Sequence, residues 1–191
     1  ILRGSGLKGL VSLKKKNKIE NKILLRPLLN YKKQDLIYIS KKVFNFYIID
    51  PSNENDKYLR IKVRKMINEL QKNGLDKKKF NKTIDNLKKS NEVISFYVNE
   101  NLFNNSFFSK KHNRLILNKI FFLQPFEVVF RSLTELLRFV GKKYYPVRGK
   151  KLENIIKNIE NNRFSKATLG GCIIEKVNQT VLISKERKII I

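Results

Sequence analysis

The sequence predicts a mixed α/β chain, mostly helical, that ends in a small β-sheet. Three observations predict it. Apolar residues recur at helical spacing, with Leu36, Ile37, Ile39 and Val43 in one stretch and Phe80, Ile84, Leu87, Val93, Ile94, Tyr97 and Val98 in another. Proline and glycine punctuate the stretches at Pro27, Gly74, Pro125 and Gly141. Only the tail changes texture, to β-branched runs divided by a polar turn. With 191 residues the chain suits one compact domain or two small ones and can bury a core.

In order, the opening RGSGLKGLVSL sets Gly4, Gly6 and Gly9 close together and reads as a loop or helix end. After the basic run Lys14 to Lys18, Ile23 to Leu25 form a short strand. It stops at Arg26-Pro27 because proline cannot donate to a ladder. A helix follows from about Lys32 to Phe44, then a second short strand from Phe46 to Ile49. Asp50 to Asp56 make a turn-rich loop whose side chains bond their own backbone. Helical spacing returns from Tyr58 to Leu70 and stops at Asn73-Gly74, which divides the chain into residues 1–73 and 74–191.

Beyond that stop a long helix runs to about Asn101, and Leu115 to Leu123 read as two short strands or one bent one. Pro125 opens a helix over Phe126 to Val140 that Gly141 ends. Leu152 to Asn161 suit another helix. Thr168 to Lys176 and Thr180 to Ile191 then read as strands about the turn Asn178-Gln179, with a bulge or a close backbone approach expected at Gly170-Gly171.

Charge narrows the function. Lys and Arg number 42 against 16 Asp and Glu, a formal net charge of +26, so a compact monomer repels itself and suits a polyanionic partner. The lysines are spread along the chain instead of gathered on one amphipathic helix, which favours nucleic acid over an anionic membrane. No apolar stretch approaches the roughly 20 residues that span a bilayer. The start lacks a signal-peptide pattern, and a cytoplasmic location is expected. Residue 1 is isoleucine and the one methionine is Met66, so an upstream segment is expected.

Cys172 is the single cysteine, which excludes an internal disulfide or a multi-cysteine zinc site. It reads as a small buried residue, since no base is evident beside it. His112, the single histidine, has the context KKHNR of a solvated surface, and no metal site is expected.

Two segments carry patterns that suit anions. In RGSGLKGL, Arg3 beside bare glycine backbone would let amides and a guanidinium converge on a phosphate, although the lysine-serine ending of a Walker loop is absent. On spacing alone a plain structural loop explains it equally. In DPSNENDKYLRIKVRK, Asp50, Ser52 and Asn53 supply a rigid turn, and Arg60 and Arg64 share one helix face with Lys62 turned aside. Two such arginines read equally as a solvated surface.

The order and approximate spacing of RGSGLKGL, of LLRPLL at Leu24 to Leu29 followed by Asp35, and of DPSNENDKYLRIKVR resemble those of the tRNA(Ile)-lysidine synthetase family. KYYPVRG at Lys143 to Gly149 and ATLGGCII at Ala167 to Ile174, followed by KER at Lys185 to Arg187, resemble the family version with a short appended domain. The resemblance implies the rear part of a Rossmann-like ATP-pyrophosphatase domain in residues 1–73. A helical, tRNA-gripping domain that ends in a small β-sheet would follow in residues 74–191.

The implied reaction adenylates C2 of the wobble cytidine in an isoleucine tRNA with a CAU anticodon, after which free L-lysine displaces AMP. ATP with Mg2+ is the implied cofactor, and a homodimer is allowed. Arg3, Arg60 and Arg64 take the implied catalytic places, with Gly4, Gly6, Arg26, Asp50, Ser52 and Asn53 in the substrate and ATP pocket. Ile61 stands where many members carry asparagine, which leaves that amide's role unfilled. The family's serine-glycine-glycine ATP loop has no match here and is expected upstream, so the chain alone is expected to be inactive. A non-enzymatic basic RNA-binding module, or another ATP-pyrophosphatase-type tRNA modifier, are the alternatives. A thiolase would commonly need paired cysteines.

Overall fold

The structure, a computed structural model, describes residues 15–19, 22–51 and 59–186 with Leu7, Gly9, Val11 and Lys57. Lys18, Ile19, Arg60 and Lys77 are described in backbone only. By density of internal contacts it divides into two units at Lys88/Lys89.

In the first unit β1 (Lys16–Ile19) and β2 (Lys22–Leu25) pair antiparallel, Lys16 opposite Leu25 and Ile19 opposite Lys22. One further step, Arg26 N–H to the Lys15 carbonyl at 2.7 Å, completes the ladder. Pro27 then starts a short 3-10 turn, Pro27–Asn30, where its missing N–H ends the pairing. β1 lies in the basic run that sequence periodicity does not mark, because a polar strand is defined by its partner.

Helix α1 (Lys33–Phe44) starts with the Asp35 carboxylate accepting from the Lys32 N–H at 3.3 Å. It ends at Asn45 in the left-handed region. The strand expected at Phe46 to Ile49 is not formed, and residues 46–50 follow no regular path. A strand needs a ladder; here the Ser40 hydroxyl donates to the Phe46 carbonyl at 2.8 Å instead, and Ile48 is 84% exposed.

Helix α2 (Leu59–Lys72) closes as the Asn73-Gly74 signal predicts. Gly74 takes φ 99, its N–H reaches the Gln71 carbonyl at 3.3 Å, and the Leu75 N–H reaches Leu70 at 2.9 Å, a Schellman closure. Helix α3 (Lys77–Asn105) follows, its first turn capped by Asp76 Oδ1, which accepts from the Lys78 N–H at 2.7 Å.

The second unit holds a five-stranded antiparallel sheet in the order β3-β4-β7-β6-β5. The strands are β3 (Ser106–Ser109), β4 (Arg114–Leu117), β5 (Lys166–Leu169), β6 (Cys172–Val177) and β7 (Thr180–Lys185). β4 leads into a 3-10 segment, Lys119–Leu123, so the stretch expected as two short strands or one bent one is one strand and one helical turn. Helices α4 (Phe126–Gly141) and α5 (Gly149–Glu160) pack with the sheet.

Alternation builds the core: Leu115 and Leu117, Cys172 and Ile174, and Val181 and Ile183 turn one sheet face inward. Leu133, Leu137, Leu152 and Ile156 meet them from the helices. Gly170 and Gly171, expected as a bulge or a close backbone approach, form the two-residue turn joining β5 to β6, with φ 66 and 75, and the Gly170 carbonyl lies close against Gly141. Two left-handed residues are what a tight hairpin asks, and two glycines supply them without strain.

Gly141, expected as a helix stop, is instead the last residue of α4, and Lys142 takes the left-handed cap. Gly141 is selected by space: a β-carbon there would overlap the Gly170 carbonyl. Among the described residues, no helix is long and apolar enough to cross a membrane.

Candidate functional site

Of the nine residues expected in the pocket, three have described side chains. Arg26, half-buried, stands where β2 gives way to the 3-10 turn. Asp50 lies exposed in the segment that follows α1. Arg64 is exposed on α2, and Arg60 precedes it by one helical turn. Arg3, Gly4, Gly6, Ser52 and Asn53 lie outside the described residues.

Ile61 is 4% exposed, so the position where asparagine was missed serves packing. That burial fixes how α2 is turned and leaves Lys62 and Arg64 in solvent. The first turn of α2 carries no acid, and Glu69 is the one acid along its length. Such a face attracts phosphate groups, and arginine holds its charge at any physiological pH.

Lysines dominate the start of α3 as well, at Lys77, Lys78, Lys79 and Lys82, with Asp76 and Asp85 among them. Sequence reading did not single them out, because lysine abounds along the whole chain. Asp85 holds Lys88 at 2.7 Å, an exposed pair of small worth.

One candidate chemistry, a cysteine nucleophile, is closed by geometry. Cys172 is fully buried and its Sγ donates to the Leu137 carbonyl at 3.4 Å. Burial, with the Glu186 charge adding to it, pushes the thiol from its usual 9.0 up to about 11, so it is no nucleophile at neutral pH. His112 sits exposed in the turn between β3 and β4. Among the described residues, no three of His, Cys, Asp and Glu gather as a metal cage.

Residues 1–71 match the family model described as a PP-loop domain. Over 202 aligned residues, 97% of this chain, it is 32% identical to the tRNA(Ile)-lysidine synthase of Orientia tsutsugamushi. The enzyme of the same name from Ruegeria pomeroyi is 24% identical across 97% of the chain. That of Francisella philomiragia is 45% identical over 67 residues. The chain spans 44% of the length of the first two of these curated relatives.

Proposed function

We propose, from the premise that this chain is a relative of the tRNA(Ile)-lysidine synthases along nearly its whole length, that it forms part of a lysidine-forming carbon-nitrogen ligase. The observation that carries the reading is the end-to-end alignment, 97% of the chain, with a PP-loop match over residues 1–71. In this reaction the carbonyl oxygen on C2 of the wobble cytidine of a CAU-anticodon isoleucine tRNA takes the adenylyl group of ATP, activating C2 and releasing pyrophosphate. The amine of free L-lysine then attacks C2, AMP leaves, and lysidine results. The net charge of +26 suits a tRNA substrate, and its location would be the cytoplasm, with a homodimer as one assembly.

In this reading residues 1–73 are the rear of a Rossmann-like catalytic domain, and residues 74–191 grip the tRNA. Arg3, Arg60 and Arg64 face the phosphates of ATP or the tRNA and offset the negative charge that builds on the α-phosphate oxygens during adenylation. Gly4, Gly6, Arg26, Asp50, Ser52 and Asn53 shape the pocket around them. Mg2+ would travel with the nucleotide phosphates, whose hard oxygens suit it as ligands.

The test gives the full-length protein ATP, labelled lysine and a CAU-anticodon isoleucine tRNA. Label in the RNA is expected, and none would overturn the reading. Arg64→Ala should lower the rate far more than tRNA affinity; equal losses would move Arg64 from chemistry to binding. A gene without a serine-glycine-glycine loop upstream of residue 1 would also sink the proposal.

A further inference from the structure

The motif KYYPVRG takes no part in the ligation proposed above, yet the fold presents it firmly. Its start is fixed where α4 closes: the Lys142 N–H meets the Phe139 carbonyl at 3.3 Å and the Lys143 N–H meets that of Arg138 at 3.1 Å. Val147 anchors the far side, half-buried against Gly170 and leaving no room for a side chain on that glycine. The Arg148 carbonyl then accepts from the Leu152 N–H at 3.3 Å and starts α5. Pro146 restricts the backbone between these anchors.

What projects is aromatic. Tyr144 is 72% and Tyr145 77% exposed, their rings edge to face with centroids 5.0 Å apart and an interplanar angle of 86°. Phe139, 76% exposed, adds a third ring at the end of α4. From Leu136 to Leu152 the chain has no acid and six exposed cations, Arg138, Lys142, Lys143, Arg148, Lys150 and Lys151. Packing does not explain rings that stay in water, and an ordinary solvated loop has no use for them.

The geometry points to the Tyr144-Tyr145 loop as a stacking site for unpaired nucleotides of an RNA strand, bases on the rings and phosphates on the surrounding cations. Cations alone grip single and double strands alike. Rings discriminate, because a duplex keeps its bases stacked inside and an A-form groove hides their faces. A loop already held in place loses little freedom on binding, and tyrosine has few rotamers to lose. The inference rests on the lysidine reading only for the natural ligand, a tRNA, whose loops and 3′ end offer unpaired nucleotides.

The test uses the whole chain without ATP or lysine, a single-stranded oligouridine of about ten nucleotides, and a blunt RNA duplex of similar length. Tyr144→Ala with Tyr145→Ala should weaken single-strand binding about 5- to 150-fold, the equivalent of one stacked base. Duplex binding should stay within about twofold, and the salt dependence of both should be unchanged. Tyr144→Phe with Tyr145→Phe should keep the affinity, since a phenyl ring stacks as well.

Equal losses on both RNAs, or none on the single strand, would overturn the site. Loss of binding to anionic phosphatidylserine vesicles as large as the loss to RNA would reassign the loop to a membrane surface. Strand discrimination that survives while no lysidine forms would sink the ligase reading alone. Lysidine formation without discrimination would sink the stacking site alone.

Discussion

At Gly141 the backbone of Gly170 occupies the place of any side chain, and a β-carbon would also stand 3.2 Å from Cys172 Sγ. Gly141→Ala should therefore destabilise by about 1–3 kcal/mol or more, read as a lower denaturant midpoint at unchanged slope. Gly149 is the control: a β-carbon there meets only Phe130 Cζ at 3.6 Å, an ordinary contact, so Gly149→Ala should be neutral or mildly stabilising. Both stand at helix ends, Gly141 as the last residue of α4 and Gly149 as the first of α5. Only the facing chain separates them, and no local signal carries that.

Cys172 gives a pH-dependent expectation. The folded thiol keeps its proton up to about 11, whereas an unfolded one releases it near 9.0. Its contribution is complete below 9.0 and is lost as pH rises from there to about 11. The loss is on the order of 2–3 kcal/mol. Cys172→Ala lacks it, so the stability gap between wild type and variant should narrow over that window in urea titrations. A constant gap would contradict the burial argument.

Among elements, α3 shows what periodicity reveals and what it hides. Ile84, Leu87, Asn91, Ile94, Val98, Asn101 and Asn105 follow one inward stripe, three of them asparagines. Asn101 Nδ2 reaches the Phe121 carbonyl and Ser132 Oγ, each at 3.3 Å, and Asn101 Oδ1 accepts from Asn105 Nδ2 at 2.9 Å. Asn118 Nδ2 joins at Asn105 Oδ1, 3.1 Å away, so α3, α4 and the 3-10 segment are tied by one buried polar chain.

Asn101→Leu would leave those partners unsatisfied and should destabilise by on the order of 1–3 kcal/mol; a neutral outcome in thermal unfolding would show the network to be dispensable. The apolar members of the stripe announced the helix. The asparagines did not announce the network, since asparagine is common throughout the chain. Helices were legible because their period is local. Strands β1 and β3 were not, because each exists only against a partner, and the same physics dissolved the strand expected at Phe46 to Ile49.

For the whole molecule, the two units differ in how they are held. The second has one continuous core of helix and sheet residues. Among the described residues of the first, Val11 and Ile61 are the buried apolar side chains, while Ile23, Leu25, Val43, Phe44 and Ile48 stand in solvent. Cleavage sites for trypsin lie everywhere in a chain with 42 Lys and Arg, so folding alone decides where it cuts. Limited proteolysis should clip residues 1–88 first and leave a resistant fragment containing residues 106–186; simultaneous decay of both would refute the contrast.

At this scale the likeness to the tRNA(Ile)-lysidine synthases was legible in ordered motifs, a matter of chemical identity that no period encodes. Charge pointed to a polyanion but not to which one. Arg60 and Arg64 could be placed on one face from spacing, whereas Arg3 lies outside the described residues.

The strand order β3-β4-β7-β6-β5 also orders events in time. β6 and β7 meet across a two-residue turn, Val177 opposite Thr180, but Leu117 of β4 must wait for Val181, with α4 and α5 between them in the chain. Local hairpins close in microseconds and long loops later, so Ile174→Ala should slow folding while Leu117→Ala mainly speeds unfolding, as stopped-flow kinetics would show. On the ribosome the consequence is one of patience: β4 emerges early and stays without its β7 neighbour until Thr180 to Lys185 have been translated.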